Sequence, residues 1–255
     1  MKYLIVSGDS NTTDDFVSIS HPDWDFSYKK WPELLAEKLG MKVINMARCG
    51  QGNEFIYTTL RNEIVKIEDK SQIGLVIAAW SQATRKDFKI RNLQSWTSLR
   101  TDTHGILPWW VERSLGFYLD FQILCERYNI PYVQFQMIEL FEHYFEGYLS
   151  QAEIHYGADP NEQRKYPGNK TKDKELILKS IMEYKKKLDT SKFMGWPPVQ
   201  ELGGWRFKDQ LDLWDKKDSP MRVSTIDDHP NELGHIAICN KLNMLLQEYN
   251  ICKTS

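Results

Sequence analysis

Short apolar runs that alternate with stretches of helical spacing constrain the fold of this chain more than any other feature. The runs predict strands at residues 2–6, 41–47, 74–80 and 131–137. Helices are predicted at residues 31–39, from Phe55 to Ile67, at residues 111–129 and at residues 231–249. Strands that alternate with helices form a parallel sheet covered on both faces. We therefore predict an α/β fold whose ligands bind at the carboxyl ends of the strands.

Two long segments do not follow this alternation. Residues 86–110 are basic and aromatic and end in Pro108-Trp109-Trp110, whereas residues 142–220 mix aromatic residues, Gly-Pro turns and charged patches. Long excursions of this kind are usually insertions at one end of the sheet, and they often carry specificity. We predict that both are cap elements on a single domain spanning residues 1–255.

The overall charge and the cysteine pattern exclude several classes of partner. The 33 basic and 35 acidic residues give a net charge of -2, so no global field favours nucleic acid or an anionic membrane. The apolar run at the amino terminus is too short for a signal peptide, and no 18-residue apolar stretch follows, so we expect a cytoplasmic protein. Four scattered cysteines without a CxxC pair indicate neither a zinc site nor a disulfide framework. We expect no cofactor and no metal.

A serine lies in the tight turn that follows the first predicted strand. In Gly8-Asp9-Ser10-Asn11 the hydroxyl of Ser10 would stand above the edge of the sheet, with the following backbone N–H groups facing whatever it attacks. Serine and aspartate are also common turn and cap residues at such positions. The turn alone therefore leaves both interpretations open.

A histidine precedes the last predicted helix. In Asp227-Asp228-His229-Pro230-Asn231, Pro230 is predicted in the first turn, which puts His229 at the positive end of the helix. That position disfavours the imidazolium and keeps the ring available as a base, which a nucleophilic serine requires. A structural or capping histidine is the alternative.

A base of this kind needs a carboxylate to hold its tautomer, and two are available. Successive side chains of an extended segment point in opposite directions, so only one of Asp227 and Asp228 is expected to reach His229. We favour Asp227, because the two-residue offset lets its carboxylate bend back to Nδ1. A Ser10–His229 dyad is the alternative.

The GDS block after the first strand and the Asp/His/Pro block before the last helix resemble the first and last sequence blocks of the SGNH (GDSL-like) hydrolases. The resemblance implies a flavodoxin-like three-layer α/β/α sandwich that hydrolyses esters. It also implies that Ser10 is the nucleophile and that its backbone N–H is one oxyanion donor. Gly50, in the block after the second strand, would supply the second donor, since glycine lets the backbone approach a ligand closely.

The third and last blocks depart from the family pattern. Where the family has Gly-x-Asn, this chain has Trp80-Ser81-Gln82, so Gln82 would offer its amide on a longer stem. Arg85 is a candidate charged donor, with an ion pair to an acidic residue as the alternative. Asn53 is predicted as a helix N-cap whose side chain supports the site. The family's usual aspartate position, three residues before His229, is Ile226 here.

These features lead to a serine esterase or deacylase that acts on a small-molecule or glycan ester through an acyl-Ser10 intermediate. Trp109 and Trp110 would stack on the sugar rings of a carbohydrate O-acetyl ester, with packing inside the cap as the alternative. A second hypothesis is a catalytically silent binding or structural protein on the same fold. A third, a metal-dependent hydrolase using His229 and His235, lacks an HExxH motif or comparable ligand spacing.

Overall fold

The computed structural model of the protein describes residues 1–89, 96–100, 106–146, 166–216 and 220–251. Its strands are β1 (Tyr3–Ser7), β2 (Lys42–Asn45), β3 (Ile73–Trp80), β4 (Arg85–Lys89), β5 (Trp96–Arg100), β6 (Tyr132–Gln136) and β7 (Phe193–Met194). Five of these form a parallel sheet in the order β2-β1-β3-β6-β7, and β4 pairs with β5 in a separate antiparallel hairpin. The predicted parallel sheet is confirmed.

Helices cover both faces of this sheet. They are α1 (Trp31–Lys38), α2 (Asn53–Lys66), α3 (Leu107–Arg127), α4 (Glu142–Glu146), α5 (Lys170–Tyr184), α6 (Phe207–Trp214) and α7 (Glu232–Glu248). Apolar side chains of α1, α6 and α7 pack on one face, and those of α2, α3 and α5 pack on the other. The predicted three-layer α/β/α sandwich is therefore confirmed. Within the ranges described above, no helix is both long enough and apolar enough to cross a membrane.

Strand β3 shows why the sheet is buried on both sides. All eight of its residues are buried. Leu75, Ile77 and Ala79 pack towards α1, α6 and α7, whereas Val76, Ala78 and Trp80 pack towards α2, α3 and α5. Alternate side chains of a strand point to opposite faces, so a strand in the middle layer needs an unbroken apolar sequence. Each buried aliphatic side chain contributes about 1.5–3 kcal/mol to folding.

Helix α3 begins earlier than the sequence pattern predicted. Its first residue is Leu107 rather than residue 111, and Pro108 lies in its first turn. Proline is well tolerated there because the first N–H groups of a helix have no partner inside the helix. Trp109 and Trp110 consequently belong to α3 and not to the segment before it.

Part of the second irregular segment completes the sheet and one helical layer. Strand β7 pairs with β6, and both of its residues are buried. Phe207 and Leu211 of α6 are buried on the same face as α1 and α7. A two-residue strand is too short to show any periodicity, which is why the pattern did not predict it. Residues 90–95, 101–105, 147–165 and 217–219 of the predicted insertions lie outside the described residues.

The start of α7 differs from the prediction at Pro230. Asn231 is the N-cap, and its side chain accepts a hydrogen bond of 3.0 Å from the N–H of Gly234. Asparagine is among the most favourable N-cap residues, so the helix begins after Asn231 and leaves Pro230 outside its first turn. His229 therefore lies in the loop before the helix.

Candidate active site

The turn after β1 is fixed by the carboxylate of Asp9. Asp9 is fully buried, and its Oδ1 accepts hydrogen bonds from the backbone N–H (3.0 Å) and the side-chain amide (3.1 Å) of Asn11. The N–H groups of Thr12 and Thr13 both donate to the Asp9 carbonyl, at 3.0 and 3.1 Å. Ser10, between these anchored neighbours, is half-buried at the carboxyl edge of the sheet.

The loop before α7 brings an imidazole to this turn. Nε2 of His229 lies 2.8 Å from Oγ of Ser10, and Nδ1 lies 2.6 Å from Oδ1 of Asp227. An ionised carboxylate only accepts hydrogen bonds, so Nδ1 carries the proton and Nε2 is left to accept from the Ser10 hydroxyl. Residues that are far apart in the sequence thus form one continuous hydrogen-bonded series.

Asp227 is the carboxylate in contact with the imidazole. Only 2% of its surface is exposed, and its Oδ1 also accepts from the backbone N–H of His229 at 3.1 Å. Burial raises the pKa of Asp227, but hydrogen bonds from His229 and Ser18 outweigh this and lower it to about 2. Asp227 is therefore ionised at neutral pH. Asp228 instead pairs with Lys208 at 2.6 Å.

The loop between β1 and α1 contributes two contacts that sequence reasoning missed. The Ser18 hydroxyl donates to Oδ2 of Asp227. The Phe16 ring stacks on the His229 ring, with centroids 4.1 Å apart and planes 28° apart. The part of this loop that carries Phe16 and Ser18 has no regular structure and no motif, so neither periodicity nor spacing could have identified these residues.

Arg85 forms a buried ion pair beneath the Ser10 turn. Its Nη1 lies 3.3 Å from Oδ2 of Asp9, and the two side chains are only 9% and 0% exposed. The same Oδ2 accepts from the Ser81 hydroxyl at 3.0 Å. The structure thus shows the ion-pair alternative for Arg85, and removal of either partner would leave a buried charge uncompensated.

Gly50 and Gln82 are linked to this ion pair through neighbouring hydrogen bonds. Nη1 of Arg85 also donates to the carbonyl of Gln51, at 3.1 Å, so the loop that contains Gly50 lies against the Asp9 turn. Gly50 has a φ of +74°, a left-handed conformation that favours glycine. Nε of Arg85 donates to Oε1 of Gln82 at 3.3 Å, which leaves the NH₂ group of that amide free to donate elsewhere.

Asn53 has a different local role from the one predicted. The N-cap of α2 is Gly52, so the N-cap prediction for Asn53 is wrong. Its amide instead bonds the backbone at Ser81, donating to the carbonyl (3.1 Å) and accepting from the N–H (2.8 Å). Asn53 thereby fixes the end of β3 against α2, directly before Gln82.

The capping of α2 comes from another element. Asp87 of β4 accepts hydrogen bonds from the N–H groups of Gly52 (2.7 Å) and Phe55 (2.8 Å). Burial raises the pKa of Asp87 to about 6, although these hydrogen bonds and the nearby Arg85 oppose the rise. Sequence reasoning missed this residue because a cap supplied across a gap of more than 30 residues leaves no local signal.

The acidic group around His229 is already occupied by protein contacts. Ligand atoms of Asp227, Asp228 and His229 lie within 4.8 Å of one another. Asp227 is held by His229 and Ser18, and Asp228 is held by Lys208. His235 is buried elsewhere, where its Nδ1 accepts from the backbone N–H of Trp31 at 3.2 Å. Each of these side chains is thus engaged by another group of the protein.

Comparison with known proteins gives no match to a protein-family model and none to a curated protein sequence. Solved structures do match. The psychrotrophic esterase EstA from Pseudoalteromonas sp. is 12% identical, with a TM-score of 0.51 over 98% of this chain and 99% of that chain. A protein from Desulfitobacterium hafniense DCB-2, described as lipolytic and of the G-D-S-L family, is 13% identical, with a TM-score of 0.47 over 96% of this chain and 100% of that chain. The chain therefore shares the fold of the EstA esterase over nearly its whole length.

Proposed function

We propose that this protein is a serine hydrolase that cleaves a carboxylic ester through an acyl-Ser10 intermediate. The observation that supports the proposal most strongly is the hydrogen-bonded series from Ser10 through His229 (2.8 Å) to Asp227 (2.6 Å). A serine hydroxyl becomes nucleophilic when a base can take its proton and a carboxylate orients that base. The fold, shared with an esterase, is consistent with this chemistry but does not establish it.

In the acylation step, Nε2 of His229 takes the proton of Ser10 while Oγ attacks the carbonyl carbon of the ester. The resulting imidazolium is stabilised by the ionised carboxylate of Asp227. The proton then passes to the leaving alcohol as the C–O bond breaks. In the deacylation step, His229 takes a proton from water as the water oxygen attacks the acyl carbon. The imidazolium then returns the proton to Oγ of Ser10 as the bond between the acyl carbon and Oγ breaks, which releases the carboxylic acid.

The negative charge that develops on the carbonyl oxygen requires donors. We assign this role to the backbone N–H groups of Ser10 and Gly50 and to the side-chain amide of Gln82. Arg85 does not donate to the oxygen in this assignment; it holds Oε1 of Gln82 so that the NH₂ group is turned away from the guanidinium. Asn53 supports the same donor by fixing the backbone of the preceding residue.

We expect Gln82→Ala to lower kcat about 10²–10³-fold with little change in KM, because the donated hydrogen bond strengthens in the transition state. Steady-state hydrolysis of p-nitrophenyl acetate measures both constants. Thr84→Ala, two residues along the same buried segment, is the matched control and should retain near wild-type kcat. A change below about threefold in Gln82→Ala would remove Gln82 from the oxyanion donors.

A glycan ester is one candidate substrate class. Trp109 of α3 keeps 50% of its surface exposed, and its ring lies edge-on to Trp110, with centroids 4.4 Å apart. Arg113, one turn further along α3, pairs with Glu54 near the amino end of α2, so this part of α3 lies beside the start of α2. An exposed indole face suits stacking on a sugar ring, so carbohydrate O-acetyl esters belong in the substrate screen.

The proposal is tested by covalent labelling with a fluorophosphonate. We expect one adduct per chain, located on Ser10 by peptide mass spectrometry, because only an activated serine reacts at an appreciable rate. Ser10→Ala should not be labelled. Ser27→Ala should be labelled like the wild type, since Ser27 is exposed and bonds the carboxylate of Asp25, which is too weak a base to activate a hydroxyl. A folded wild-type protein that forms no adduct would favour the silent binding protein instead.

A further inference from the structure

The contacts of Ser18 determine which group accepts the hydrogen bond of its hydroxyl. Its side chain is buried, with 1% exposure. Its Oγ accepts a hydrogen bond of 3.0 Å from the backbone N–H of His21 and contacts Oδ2 of Asp227. An ionised carboxylate cannot donate, so the hydroxyl must donate to Asp227.

The Ser18 hydroxyl adds to the hydrogen bonds that hold the Asp227 carboxylate. Oδ1 accepts from Nδ1 (2.6 Å) and from the backbone N–H (3.1 Å) of His229, whereas Oδ2 accepts from Ser18. One oxygen therefore faces the proposed base and the other faces the loop between β1 and α1. Among the described residues, Ser18 provides the hydrogen bond that fixes the rotation of this carboxylate from the side away from His229.

The loop that carries Ser18 is itself attached to the segment that carries Asp227. Nε2 of His21 lies 2.7 Å from the Ser224 hydroxyl, and the same hydroxyl accepts from the backbone N–H of Asp227 at 3.0 Å. Further along the loop, the ammonium of Lys30 donates to the carbonyls of Phe26 (2.6 Å) and Tyr28 (3.0 Å). Ser18 is thus held beside Asp227 from its carboxyl-terminal side by the contact between His21 and Ser224.

We propose that Ser18 is a positioning residue, whose hydroxyl holds the Asp227 carboxylate in place and sets how strongly that carboxylate attracts a proton on His229. Its effect on rate rests on the proposed hydrolase function, whereas its effect on the His229 titration does not. A donor on Oδ2 draws negative charge away from Oδ1 and favours the ionised carboxylate. Without this donor, Oδ1 attracts the imidazolium of His229 more strongly and the carboxylate is free to turn.

Other charged and titratable groups surround this pair and stay unchanged when Ser18 is replaced. Asp228, held by Lys208, and the Arg222 guanidinium, which contacts the Asp228 carbonyl, lie beside His229. Tyr28 and His235 face the pair from the α1 side and from α7. A shift measured in a Ser18 variant therefore reports the lost hydroxyl.

The test compares Ser18→Ala with the wild type by NMR titration of His229, whose signal is assigned by its absence in His229→Gln. We expect the titration midpoint of His229 to rise by roughly half a pH unit, because a hydrogen bond to a charged group is lost from Asp227. In ester hydrolysis we expect kcat to fall about tenfold with KM within about twofold, and the acidic limb of the pH profile to move to higher pH.

Two further variants separate the hydroxyl from the loop. Ser18→Thr keeps the hydroxyl and should restore the midpoint and most of kcat, while Ser18→Cys, a weak donor of similar size, should give an intermediate midpoint and supplies the measurement if the alanine variant does not fold. His21→Ala loosens the loop but leaves the Ser18–Asp227 bond, so it should lower the melting temperature without raising the His229 midpoint.

The proposal is overturned if Ser18→Ala leaves the His229 midpoint unchanged in a folded protein, or if His21→Ala produces the same shift. If Ser18→Ala shifts the His229 midpoint but the wild-type protein neither hydrolyses esters nor reacts with a fluorophosphonate, the role of Ser18 is supported and the hydrolase function is rejected. If the wild-type protein hydrolyses esters but Ser18→Ala changes neither kcat nor the His229 midpoint, the hydrolase function is supported and the role of Ser18 is rejected.

Discussion

Replacing either Ser10 or His229 with alanine is expected to lower kcat for ester hydrolysis by about 10⁴–10⁶-fold, and combining the two replacements should lower it little further. In the proposed mechanism the two side chains act as one unit, since the hydroxyl attacks only when the imidazole takes its proton. Once one partner is missing, the other has no remaining role in the chemical step. The residual rate would come from substrate binding and the oxyanion donors.

This expectation is measured with p-nitrophenyl acetate under steady-state conditions for the two single variants and the double variant. Circular dichroism and thermal melting of each variant control for loss of the fold; neither side chain belongs to the apolar cores of the sandwich. Losses that multiply in the double variant, or a His229→Ala variant with near wild-type kcat, would show that these two residues do not cooperate.

Asp227→Asn is expected to lower kcat about 10⁴-fold while Asp228→Asn changes it less than about threefold. An amide at position 227 can turn its NH₂ group towards Nδ1 of His229, which favours the tautomer with its proton on Nε2. In that tautomer the ring cannot accept the proton of Ser10. Asp228→Asn is the matched control, because it makes the same chemical change in a carboxylate that pairs with Lys208 instead of His229.

The pair of variants is compared by kcat across a range of pH and by the rate of fluorophosphonate labelling. Because the pKa of Asp227 is held at about 2, its carboxylate should remain ionised throughout the measured range, and the wild-type profile should show no acidic limb from this group. A Ser10–His229 dyad would be indicated instead if Asp227→Asn retained more than about one tenth of wild-type kcat.

The fold could be predicted from the sequence because its main elements are local patterns. The apolar run of β3 and the helical spacing of apolar residues in α2 both correspond to side chains that are buried in the structure. The alternation of such strands and helices predicts a parallel sheet between two helical layers. Boundaries were less accurate where two signals competed. Pro230 was expected in the first turn of α7, but the capping side chain of Asn231 makes Glu232 the first residue of the helix.

The candidate site was predictable only where chemistry is concentrated in short motifs. The turn at Ser10 and the segment at His229 each carry such a motif, and these are the residues that lie in contact. Ser18 and Asp87 act through bonds to residues that are distant in sequence, so their roles exist only in the folded chain. Gln82 was predicted in part: its place after β3 was expected, but its hydrogen bond with Arg85 was not.

The separation of 219 residues between the two partners of the Ser10–His229 contact has a kinetic consequence. Helix α7 docks against α1, where His235 accepts from the backbone N–H of Trp31. A refolding intermediate that has formed the sheet but not yet docked this last helix would contain the alcohol without its proton acceptor. Recovery of fluorophosphonate reactivity during refolding should therefore follow the docking of α7, and lag behind the return of the far-ultraviolet signal.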